Sequence, residues 1–165
     1  MNTSLKFYDY YFCLCCILAY WADKELHEKE YNLLKNLYKK IPNNNINNSN
    51  ISTSMLRDAT DIELCFKEYL YWIMSNVEEL FYSLNKNSSD FNYSEIETLA
   101  FHIVDKLNES FKLNKIKQDV KDVKKSFIGV FNSIIEIDGK VLETEKKLFK
   151  AIKNRLQGGF FNKFF

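Results

Sequence analysis

Residues 134–149 read IIEIDGKVLETEKKLF, and the fold is decided by how this stretch is parsed. Apolar positions at helical spacing run into Asp138 and Gly139, break, and restart behind Glu145. Glycine takes a positive φ at no Cβ cost, so Gly139 suits the position just past a helix end. Val141 is expected to tuck under the corner. Leu142 then falls at the N-cap of the next helix and Glu145 at N3, from which a carboxylate can reach back to the N-cap amide, as in half of a capping box. The stretch predicts a helix, a tight corner and a second helix.

The same pattern stands 115 residues upstream, at residues 19–34, AYWADKELHEKEYNLL. Asp23 falls on Asp138, Leu26 on Val141, Glu28 on Glu143, Glu30 on Glu145 and Leu33 on Leu148. Backward, Tyr8, Phe12, Cys15, Ala19 and Ala22 fall on Val123, Phe127, Val130, Ile134 and Ile137; forward, Leu37 falls on Ile152. An internal repeat of two helical units is expected, with Phe127 and Leu148, and their mirrored positions Phe12 and Leu33, in the core, and it says more about fold than about chemistry.

Composition agrees with an all-α bundle. The 165 residues make one domain, 1–165, with 46% apolar and 16% aromatic residues to fill a core. Four glycines and one proline suit long helices and disfavour a barrel or sandwich. A net charge of +1 gives no global attraction to nucleic acid or to an anionic membrane. Cys13, Cys15, Cys16 and Cys65 lie in apolar helical settings, which reads as a reduced, cytoplasmic chain with core thiols. The apolar run near the N-terminus is too short for a span of about 20 residues and lacks a cleavage site, so no transmembrane segment is expected.

Along the chain, helices are expected over residues 4–22, 27–40, 60–84, 94 to 107 or 111, 115–137 and 142–156. Ser94 and Glu97 match a capping box opening the fourth. The Asn-rich stretch 43–54 has no periodicity and reads as a flexible surface loop. The tail 157–165, QGGFFNKFF, leaves two readings open: folding back into a groove, or a frayed or partner-binding end.

The chemistry concentrates at the two corners. Residues 138–145 match the end of an EF-hand loop, but the preceding positions, Ile134 and Glu136 in one copy and Ala19 and Trp21 in the other, leave the ligand count short. Two readings of the acids stand. Packed about a pseudo-two-fold, Asp23, Glu30, Asp138 and Glu145 would form a carboxylate cluster for a hard divalent cation, Ca²⁺, Mg²⁺ or Mn²⁺. Alternatively, each Asp caps its corner and each Glu caps its helix. His27 and His102 show no nucleophile partner, and there is no phosphate-binding loop or nucleophile elbow, so no catalytic residue is assigned.

The paired corners, Ala22-Asp23-Lys24-Glu25-Leu26 with Glu30 and Ile137-Asp138-Gly139-Lys140-Val141 with Glu145, resemble those of the TerB-like family, associated with tellurite resistance and also found fused to J-domain co-chaperones. Lys24 stands where that family prefers glycine, and His27 and Leu142 where it usually has a capping Ser or Thr. The resemblance implies an internally duplicated all-α domain of about six helices, non-enzymatic and cytoplasmic. It also implies a role in stress response through a protein partner, in a membrane-proximal complex. The alternative is a metal or oxyanion binder acting directly through the acidic cluster or the thiols. A third option is hydrolysis at that cluster, which would need two metals.

Overall fold

The computed structural model describes residues 5–21, 26–41, 62–84, 92–113, 120–137, 139 and 141–158. Among these are six α-helices and no strand: α1 (Phe7–Cys16), α2 (Glu28–Lys40), α3 (Ile62–Leu84), α4 (Tyr93–Leu113), α5 (Val120–Glu136) and α6 (Glu143–Leu156). The Asn-rich stretch, the start expected for the fifth helix and the tail from residue 159 lie outside the described residues.

The sequence of α1, FYDYYFCLCC, offers almost nothing to water, and a helix apolar on every side belongs at the centre of a bundle. Tyr11 to Ala19 are all buried, and α1 packs against α3, α4 and α5. Past Cys16 the helix does not simply continue: Ile17–Trp21 form one π-helical turn, whose wider winding takes an extra residue into the turn. Aromatic rings tie α1 to its neighbours. Tyr11 stacks on Phe127 of α5 with centroids 4.0 Å apart, and Phe12 meets Tyr69 of α3 edge-on at 5.2 Å.

The outer helices are amphipathic and bury one stripe each. In α5 that stripe is Phe127, Phe131, Ile134 and Ile135. In α6 it is Glu145, Leu148, Ile152 and Leu156. Helix α6 rests on α4 and α5. Arg155 grips Asp105 of α4 with two bonds, at 2.9 and 3.0 Å, while its guanidinium lies over the Phe101 ring. Helix α2 instead rests on α3, where Tyr31 and Tyr38 pack on Phe66. Tyr31 and Lys35 both donate to Glu63 at 2.8 Å.

Three expectations are corrected. Helix α4 is opened by Asn92 and Glu95, not by Ser94 and Glu97: the Glu95 amide donates to the Asn92 side chain at 3.0 Å, and Ser94 lies inside the first turn. Glu97 accepts from the Tyr93 hydroxyl instead. Val141 does not tuck under its corner but is 46% exposed, because the chain reaches α6 in extended backbone that leaves residues 141 and 142 on the outside. Leu33 and Leu37 are only partly buried, and the core positions of α2 are Leu34 and Tyr38. No helix among the described residues is long and apolar enough to cross a membrane.

Candidate functional site

Glu30 and Glu145 occupy the same place in their helices. His27 is the N-cap of α2 with extended backbone, φ −76° and ψ 154°, and Leu142 is the N-cap of α6 with φ −76° and ψ 149°. The His27 amide donates to Oε1 of Glu30 at 3.0 Å, and the Leu142 amide donates to Oε1 of Glu145 at 3.1 Å. Leu142 has no side-chain acceptor with which to cap in return. Each helix therefore has the half capping box that its sequence predicts. Both carboxylates are 1% exposed. A carboxylate leaves water at that depth only against charge-assisted donors, and the helix N-terminus, with its orphan amides and positive dipole end, supplies them.

Gly139 is the other half of the second corner. Its amide donates to the Glu136 carbonyl at 3.0 Å and its φ is +79°, the left-handed position that ends a helix. Space does not restrict this position, since a Cβ built on Gly139 would meet nothing within 4 Å. Asp23, Lys24 and Asp138 lie outside the described residues, so of the four candidate ligands the structure places two. Among the described residues no group of three or more His, Cys, Asp and Glu side chains has the spacing to hold a metal ion.

A third acid of the same kind escaped the sequence reading. Asp9 is fully buried at N3 of α1, with Oδ2 accepting from the Lys6 amide at 2.7 Å and Oδ1 accepting from the Tyr69 hydroxyl at 2.7 Å. It joins the start of the central helix to the middle of α3. Burial, helped by the Asp9 charge, pushes the Tyr69 phenol well above its ordinary range, so the hydroxyl stays a donor. The only sequence signal was the spacing Lys6-x-x-Asp9, set in a run of aromatic residues.

The cysteines are poor candidates for reactive thiols. All four are free and buried. Burial pushes the Cys13 and Cys15 thiols far up and that of Cys16 up to about 12, with the neighbouring thiols adding to the shift at Cys13 and Cys15. The thiolate, which is the nucleophile and the metal ligand, is suppressed there. His102 is half-buried on α4, and His27 serves through its backbone.

A surface cavity of 530 Å³ lies between the starts of α4 and α6, lined by Tyr93, Glu143, Thr144, Lys146, Lys147 and Lys150. The Lys147 ammonium sits 4.4 Å from the centre of the Tyr93 ring. The lining holds neither histidine nor thiol, and its lysines face outward as a basic rim. Comparison with family models, with curated proteins and with solved structures finds no match to this chain.

Proposed function

We propose that this chain is a non-enzymatic interaction module of the TerB-like kind, built on an internal duplication of the helix–corner–helix unit and working by contact with a protein partner in stress response. The observation that carries the reading is the pair of corner caps. Two glutamates 115 residues apart close their helices with the same atom, on the same N-cap amide, at 3.0 and 3.1 Å. Both hold backbone, which is a structural task, and the Cys13, Cys15 and Cys16 thiols are held protonated. The same burial supports the second reading: two carboxylates withdrawn to 1% exposure at matched positions would, with Asp23 and Asp138, give a hard cation a dry oxygen cage.

Thermal melts with and without Ca²⁺, Mg²⁺ or Mn²⁺ separate the two. A ligand that binds only the folded state raises stability by mass action, by about 2.7 kcal/mol at 100 times its Kd. The interaction module melts at one temperature in all four buffers. A rise with one cation, abolished by Glu30→Gln or Glu145→Gln, assigns the corners to metal binding instead.

A further inference from the structure

The small net charge conceals a separation. Helix α3 carries Glu68, Glu78 and Glu79 against Lys67, while its Glu63 is already paired with Lys35 of α2. Helix α6 carries Lys146, Lys147, Lys150 and Lys153 against Glu143 on its exposed side, while Arg155 is paired with Asp105 of α4 and Glu145 is buried. Helix α4 packs against both, and each of the two outer helices turns its unburied face to solvent.

Those faces match in more than charge. On α3 the outward positions Leu64, Glu68, Tyr71, Ser75, Glu78 and Tyr82 recur in alternating steps of four and three, the spacing of a seam that accepts another helix. The seam has apolar knobs: Tyr71 is 76% exposed and Leu64 48%. Glu68 is half-buried, and its Oε2 has no hydrogen-bond partner among the described residues. On α6, Lys146, Lys150 and Lys153 follow the same four-and-three spacing and are all exposed. Lysine stems are long and apolar and can lie on tyrosine rings while their ammonium groups reach flanking carboxylates.

We propose that α6 of one copy of this chain docks along the outer face of α3 of a second copy. Charge complementarity selects this occupant: a lysine stripe meets an acidic, tyrosine-bearing seam of the same period. The two surfaces differ, so the contact is head-to-tail, and each added copy exposes a fresh α3 face and a fresh α6 face. The contact is held largely by exposed charges, so it is weak and sensitive to salt.

Sedimentation equilibrium on the full chain, over about 10 μM to 1 mM, tests this, because weak contacts between proteins show in that range. At low salt the mean mass should rise with concentration, and about 0.5 M NaCl, where screening is within about 4–5 Å, should return it to the monomer. The Lys146→Glu/Lys150→Glu variant and the Tyr71→Ala/Glu78→Lys variant should each stay monomeric. Mixed, they should form a one-to-one dimer and nothing larger, since each retains the face that the other lacks. All four positions are partly or fully exposed, so circular dichroism should show both variants folded; should either not be, Lys150→Glu and Tyr71→Ala alone take their places. A wild-type chain that stays monomeric throughout overturns the proposal, even if its α6 lysines bind phosphatidylserine vesicles. So does association that the variants leave unchanged.

Discussion

The helix that enters the first corner is buried on every side, whereas α5, which enters the second, is buried along one stripe. The helices that leave the corners differ as well. Both start with a buried N3 glutamate, but α2 then buries Leu34, Tyr38 and Ile41 in steps of four, four and three, while α6 buries Leu148, Ile152 and Leu156 in steps of three, four and four. The stripe of α2 is turned because its neighbour is α3, whereas α6 folds back on α5 and α4. Two stretches of sequence can share an N-cap device, fixed by local backbone chemistry, and still diverge in burial, which is fixed by what lies alongside.

The strongest way to break this comparison is at the paired phenylalanines. Phe12 and Phe127 are both core residues in ring contact with neighbouring helices, and truncating either to alanine should cost about 3–5 kcal/mol. Urea midpoints read it, and near-zero shifts would remove α1 and α5 from the core. The leucines sharpen the difference further. Leu148→Ala and Leu34→Ala should each cost about 2–5 kcal/mol, whereas Leu33→Ala, at a half-buried position, should cost less than about 2 kcal/mol. Equal losses at Leu33 and Leu148 would mean that the two exit helices bury the same stripe.

Gly139→Val should lose more than about 1 kcal/mol in a melt, through backbone strain at φ +79° and not through a clash, as the site is open. The smallest effect belongs to the clasp between α2 and α3. The bond from Lys35, then that from Tyr31, holds the Glu63 carboxyl below its ordinary range. Its folded-state pKa is depressed, so its contribution is complete above the unfolded carboxylate value and is lost as pH falls through the folded one. Wild type should therefore exceed Glu63→Gln at neutral pH by a small margin that closes in acid, and a margin that widened in acid would contradict the clasp.

Much of the architecture was legible because apolar spacing marks helices and because Gly139 and the N3 glutamates carry local chemistry. The phase of α2 was not. In YNLLKNLY both the Leu33–Leu37 line and the Leu34–Tyr38 line are apolar, so the pattern permits two faces and packing against α3 chooses one. The start of α4 was ambiguous for a similar reason, since Asn92 with Glu95 and Ser94 with Glu97 both satisfy the capping spacing. Asp9 was hidden because its role depends on Tyr69, sixty residues away. At the corners, the N3 acids were legible as caps and remain so in the structure, at 3.0 and 3.1 Å from their amides.

The central claim is that each of these glutamates serves its own helix, and a double-mutant cycle tests it most directly. Glu30→Gln and Glu145→Gln should each lower the urea-derived stability by about 0.3–1.5 kcal/mol, the usual contribution of one such cap. The double variant should lose the sum of the two to within about 0.5 kcal/mol, as independent sites do. A coupling energy clearly above that would contradict the account, because it would mean that the two acids share one site.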